Sequence, residues 1–194
     1  MGTRSHPIVP NHAYFITSAT AGRKRLFSSP RACRLLVSTL YELRSELGFL
    51  LLAFVVMPDH VHLLIVPSAD DTIGRVMQAT KGRFARKWNA ANGTAGTVWQ
   101  RRYFESTART HPQLFKWVEY IHGNPVRAGL ARTPEEYPYS SAAPNMQTDL
   151  DVYLGGTPGQ AKARPSGDGG SSAAAESSQA KAQPSGDKGE WRTR

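Results

Sequence analysis

Two histidines stand one residue apart in the run Met57-Pro58-Asp59-His60-Val61-His62-Leu63-Leu64-Ile65. The run is rich in strand-forming residues, and side chains on a strand alternate between its two faces, so His60 and His62 must point the same way. Two neutral imidazoles converging on one face make half of a divalent-metal site, which one or two oxygen ligands would complete. A pair of polar side chains turned to water has the same spacing, and the two residues alone leave both readings open.

Further along, Tyr120 and Asn124 lie four residues apart. On a helix that spacing places them on one face, one turn from each other. Pro125 disfavours helical geometry at Asn124, so the spacing predicts the amide at the exit of the helix, free to reach a metal. A core tyrosine followed by a capping asparagine would read the same way.

The elements that must position these residues follow from periodicity. Ala13–Ser18 reads as a first strand. Pro30 opens a helix to about Leu47, with Leu35, Leu36, Leu40, Leu43 and Leu47 on one stripe and Gly48 as its stop. A second strand over about Phe49–Val56, a turn at Pro58-Asp59 and a third strand carrying the histidines form an antiparallel pair. A helix over about Thr72–Ala91, a fourth strand over Val98–Ala108 and a helix over about Pro112–Gly123 complete the order. Strand, helix, strand, strand, helix, strand is the ferredoxin-like arrangement of an α+β fold with an antiparallel sheet, here with one added C-terminal helix that carries Tyr120.

Composition divides the chain. Residues 1–143 are ordinary for a folded domain, whereas 144–194 are rich in Gly, Ser, Ala and Pro, and Ala161–Asp168 nearly returns as Ala180–Asp187. The second part has too little apolar surface to offset the entropy of ordering and is expected to be a disordered tail. The formal charge of +9 lies wholly on the first part, which carries 18 Lys and Arg against 9 Asp and Glu. A domain this basic favours a polyanionic partner. Lys81, Arg83, Arg86, Lys87, Arg101, Arg102 and Arg109 are interleaved with Phe84, Trp88, Trp99, Tyr103 and Phe104, and cations for phosphates mixed with rings for bases suit single-stranded nucleic acid. Arg127 adds to the same set. Cys33 is the only cysteine, which excludes an internal disulfide and a cysteine metal cluster. The lack of an apolar span or secretory leader gives the expectation of a cytoplasmic protein without membrane contact.

Four motifs in order then make the chain resemble a known family. They are Val56-Met57-Pro58-Asp59-His60-Val61-His62-Leu63, Trp99-Gln100-Arg101-Arg102-Tyr103-Phe104-Glu105, the segment Tyr120–Leu130 and Tyr137-Pro138-Tyr139-Ser140-Ser141. Over about residues 8–143 the chain is similar to the HUH single-strand transposases with one catalytic tyrosine, and among them to the REP-associated tyrosine transposases. The resemblance implies that His60 and His62 ligate Mg²⁺ or Mn²⁺, that Asn124 stands where the family has a third, polar ligand, and that Tyr120 is the nucleophile. It further implies a transesterification on single-stranded DNA hairpins made by short palindromes, through a 5′-phosphotyrosine. His122, two residues from Tyr120, faces elsewhere on a helix and is not expected to act as its base.

Tyr103 is the competing nucleophile, but its basic neighbours suit it better to gripping backbone and stacking a base. Two readings of other classes share the histidines and the basic surface: a domesticated, non-catalytic nucleic-acid-binding regulator, and a metal-dependent phosphodiesterase that uses water. Whether the chain is a monomer or a homodimer is left open by the sequence.

Overall fold

A computed structural model of the chain describes residues 12–155. Its main elements are β1 (Ala13–Ala19), α1 (Pro30–Leu47), β2 (Leu50–Met57), β3 (His60–Val66), α2 (Ile73–Asn92), β4 (Phe104–Ala108), α3 (His111–Arg127) and the short α4 (Leu150–Tyr153). The four strands form one antiparallel sheet in the order β2-β3-β1-β4. That order is the ferredoxin-like topology expected from the sequence, with α3 added after it.

Strand alternation sorts the core into two halves. Tyr14, Ile16, Phe54, Val56, Val61, Leu63 and Ile65 face α1 and α2, where they meet Leu36, Leu40, Val76, Met77 and Phe84. Phe15, Leu52, Val55 and Leu64 face the other way and meet Leu114 and Ile121 of α3. Each large side chain buried in this way contributes ~1.5–3 kcal/mol. Pro30 starts α1 with its ring preset for the helix, and Gly48 ends it at φ 65°, its N–H donating to the Arg44 carbonyl. α2 opens on the Thr72 hydroxyl, which accepts from the Arg75 N–H.

Three boundaries differ from those expected. First, β4 begins at Phe104 rather than Val98. Gln100 still donates to the Ala19 carbonyl, and Phe104 pairs with Thr17, so the chain from Gln100 to Phe104 covers a stretch that β1 covers from Ala19 to Thr17. The two surplus residues bulge out of the ladder and shift its register by two, which keeps the alternation of faces.

Second, α3 continues through Pro125 to Arg127, so Asn124 lies inside the helix and not at its exit. Pro125 falls in the last turn and is buried; the missing N–H costs one ladder bond there, while the helix closes normally beyond it through the Ala128 N–H to the Asn124 carbonyl at 3.0 Å.

Third, the chain remains structured past residue 143. Tyr137-Pro138-Tyr139-Ser140-Ser141 lies along the outer edge of β2, with the Val56 N–H donating to the Tyr139 carbonyl, the Ser141 N–H to the Phe54 carbonyl and the Tyr137 hydroxyl to the Val56 carbonyl. These bonds satisfy an edge that would otherwise be open to pairing. Asp149 continues the cover: its N–H donates to the Leu51 carbonyl, its carboxylate accepts from the Leu51 N–H, and it pairs with Arg44. A local compositional reading of 144–155 misses these contacts because their partners lie about a hundred residues away. The remainder of the expected tail, with its repeat, lies outside the described residues.

Candidate active site

β3 delivers His60 and His62 to the face that α3 covers, as alternation requires. Their Nε2 atoms stand 3.1 Å apart. Each ring is held from behind: His60 Nδ1 donates to Asp59 Oδ1 at 2.6 Å, and His62 Nδ1 lies 2.8 Å from the Thr17 hydroxyl on the paired strand β1. A carboxylate can only accept, so Asp59 fixes the proton of His60 on Nδ1 and leaves its Nε2 lone pair pointing at His62. A threonine hydroxyl can donate or accept. His62 can therefore carry its proton on Nε2, donating to His60, or move it to Nδ1 and present a second lone pair beside the first.

The protonation states suit that second role. Burial drives the His62 pKa down to about 3, reinforced by His60, Arg127 and Arg23, so the ring is neutral and available at neutral pH. For Asp59, burial works to raise the pKa, but the hydrogen bonds and charges of His60 and Arg23 outweigh it and the carboxyl is held below its ordinary value. Arg23 reaches Asp59 at 3.3 Å from a backbone at φ 53°, an uncommon conformation for a residue with a side chain.

The donor set fits a divalent cation. Adjacent ligands of an octahedral ion at about 2.1 Å lie about 3.0 Å apart, close to the 3.1 Å between the two Nε2 atoms. Among the described residues no group of three or more His, Cys, Asp or Glu could hold a metal.

α3 brings Tyr120 to the same place. Its ring lies 5.5 Å from the His62 ring, edge to face, and 5.7 Å from Phe15. Phe15 in turn stacks on Trp117 of α3 at 4.2 Å and on His62 at 5.4 Å. This aromatic packing sets the height of α3 above the sheet and leaves Tyr120 40% exposed. Arg127 completes the setting: its guanidinium lies 4.7 Å from the centre of the Tyr120 ring and donates to the Tyr120 carbonyl. It folds back over Gly123, where a Cβ would stand only 2.7 Å from one of its nitrogens. The glycine makes room for the arginine.

The Asn124 side chain folds back onto its own helix. Its amide nitrogen donates to the Tyr120 carbonyl at 2.7 Å, and among the described residues no hydrogen bond links it to His60 or His62. Its amide oxygen is the atom left to serve as a ligand. His122 points to the C-terminal segment, with Nε2 2.8 Å from the Ser141 hydroxyl.

The basic residues separate into two groups. Arg83 is held by Glu46 in a two-toothed pair and Lys87 by Glu42, which ties α2 to α1 on the face away from the histidines. Lys81 donates to the Gln100 and Arg101 carbonyls at 2.7 and 3.1 Å and so pins the bulge. These three cations have structural partners that the sequence did not reveal. Arg86, Arg101, Arg102 and Arg109 are exposed.

Tyr103 packs against the α1–α2 core, and Lys81 lies 5.8 Å from its ring centre. Burial, then the charge and hydrogen bond of Glu105, push its hydroxyl up to about 12. Asp59, Thr17, Phe15 and Trp117 were not singled out from the sequence as site residues. Only Asp59, next to His60 in the chain, offered a local signal.

The four-stranded ferredoxin-like sheet with its added helix is shared by known proteins. The family model described as transposase IS200 like matches residues 8–124, and the chain belongs to that family. It is similar to the Haemophilus influenzae protein called "Putative REP-associated tyrosine transposase", 29% identical over 108 residues covering 50% of this chain and 61% of the relative. It is also similar to the REP-associated tyrosine transposase of Escherichia coli, 26% identical over 109 residues covering 56% of this chain and 63% of the relative. The matches thus span less than two thirds of each curated relative. Among solved structures, a REP-associated tyrosine transposase bound to a REP hairpin superposes with a TM-score of 0.62 at 23% identity, covering 89% of this chain and all of that one. That likeness establishes the fold. No helix among the described residues is long and apolar enough to cross a membrane.

Proposed function

We propose that this chain cleaves and rejoins single-stranded DNA, with Tyr120 as nucleophile and His60 and His62 as ligands of a Mg²⁺ or Mn²⁺ ion. The observation that carries the proposal is the 5.5 Å approach of the Tyr120 ring to His62, on the face where both Nε2 atoms converge. The names of the relatives and the hairpin in the related structure support DNA hairpins of the REP type as the substrate.

The cation, when bound, polarises a nonbridging phosphate oxygen and helps the phenol ionise. The protein does the rest. Asp59 and Thr17 keep the two imidazoles oriented, Phe15 and Trp117 hold α3 at a fixed height, and Arg127 seats the Tyr120 ring. The Tyr120 oxygen attacks phosphorus, the bond to the 3′ oxygen breaks, and the products are a 5′-phosphotyrosyl protein and a free 3′-hydroxyl. One phosphodiester replaces another, so a 3′-hydroxyl can later reverse the step without an external energy source. Tyr103 is unsuited to the same role, because its hydroxyl is raised to about 12 and its ring belongs to the opposite core.

The test is incubation of labelled single-stranded hairpin DNA with Mn²⁺, followed by denaturing electrophoresis. A band that survives denaturation, disappears with chelator and is missing in Tyr120→Phe is the expected result. Free fragments without a protein adduct would indicate hydrolysis by water, and bound but intact DNA a regulator without turnover; either would overturn the proposal.

A further inference from the structure

The bulge between Gln100 and Phe104 has a second effect. It leaves the alternation unchanged, with Tyr103 on the α1–α2 core, but shifts the register by two so that Phe104 pairs with Thr17, which His62 pairs from the opposite side. The three residues form one row across β3, β1 and β4, which places Phe104 about 10 Å from His62 by strand spacing. Phe104 is 43% exposed and meets the buried Phe15 edge to face at 6.4 Å. Tyr120 meets the same Phe15 ring at 5.7 Å. A single exposed ring on a surface is ordinary; two partly exposed rings braced on one buried ring beside a phosphate-binding centre are a platform.

Charge selects what the platform takes. Arg101 and Arg102 are exposed immediately before Phe104, held there by Lys81 through the carbonyls of the bulge, whereas Arg83 and Lys87 are spent on glutamates of α1. Exposed cations and an exposed ring therefore coincide on the β4 side of the site. A partner that offers phosphates and a flat aromatic face at the same time is a single strand of nucleic acid with an unpaired base.

We infer that Phe104 is a stacking subsite for one unpaired nucleobase next to the phosphate held over His60 and His62. The inference rests on the single-stranded DNA chemistry proposed above and adds the residue that fixes the register of the strand. Stacking on a ring tolerates any base, so the subsite positions the strand and does not read its sequence.

The test uses an oligothymidylate carrying one 2-aminopurine, whose fluorescence is quenched on stacking, with wild type, Phe104→Ala, Phe104→Leu and Phe104→Trp. Quenching with wild type and Phe104→Trp, its loss in the other two, and affinity about tenfold weaker in Phe104→Ala are expected. Phe104→Leu keeps apolar bulk without a π-face, so a fall there cannot be blamed on misfolding of the alanine variant. Equal affinity and quenching in wild type and Phe104→Ala would overturn the subsite while leaving adduct formation by Tyr120 intact. Loss of the adduct in the wild-type chain would instead remove the chemistry on which the subsite depends.

Discussion

The two faces of the sheet are built from the same strands and serve opposite ends. The α1–α2 face is closed by two long helices, and its largest side chains, among them Phe54, Phe84, Leu36 and Leu40, are fully buried; its outer cations are matched by carboxylates across the helix pair. The α3 face has one long helix over part of its area. There the strands carry His60, His62 and Thr17 among apolar neighbours, and the rings of Tyr120 and Phe104 remain accessible. A sheet covered completely on one side can leave the other half open, because stability is supplied by the closed face and the open one needs only enough packing to hold a few side chains in place.

Loss of an imidazole from the open face is expected to have the largest effect. His60→Ala should abolish metal binding in calorimetric titration. Mn²⁺ at a hundred times its dissociation constant should add about 2.7 kcal/mol to wild-type stability and nothing to the variant. Equal stabilisation of both would place the cation elsewhere. The counterpart on the closed face is Phe84→Ala, expected to cost about 3–5 kcal/mol in denaturant unfolding while the adduct yield per folded molecule stays at the wild-type level. A specific loss of cleavage in folded Phe84→Ala would erase the division between the faces.

Gly123→Ala sharpens the contrast, because the two properties should move in opposite directions. Alanine favours a helix interior by up to about 1 kcal/mol over glycine, yet its methyl would collide with the Arg127 guanidinium and displace it from the Tyr120 ring. A higher melting temperature with slower adduct formation is the expected pair of results; unchanged kinetics would show that Arg127 is a bystander. The smallest effects concern the surface cations. Removing exposed Arg101 should weaken DNA binding and reduce the salt slope by about one unit, whereas Lys87→Ala should leave both near wild type. The reverse order would move the DNA path onto the helices α1 and α2.

Much of this arrangement was legible in the sequence where the physics is local. Alternation along β3 put His60 and His62 on one face, the apolar stripe and Gly48 marked α1, and the order of elements gave the topology. The approach of Tyr120 to His62 depends on how α3 crosses the sheet, and only resemblance to a family pointed to it. What stayed hidden depends on distant partners. Strand propensity continues through Val98–Tyr103 and Val98–Gln100 do pair with Ala19–Ala21, but two surplus residues before Phe104 shift the register, and that shift cannot be read from propensity. The carboxylates that pair with Arg83 and Lys87, Glu46 and Glu42, lie about forty residues away on α1 and give no local signal. Pro125 ordinarily marks a helix end, and only its position in the final turn lets α3 run past it.

The most direct measurement is mass spectrometry of the trapped protein–DNA adduct after proteolysis. The geometry predicts a deoxynucleotide 5′-phosphate on the peptide containing Tyr120 and none on the peptide containing Tyr103. A nucleotide on Tyr103, or on a residue of the α1–α2 face, would contradict the placement of the chemistry on the open side of the sheet.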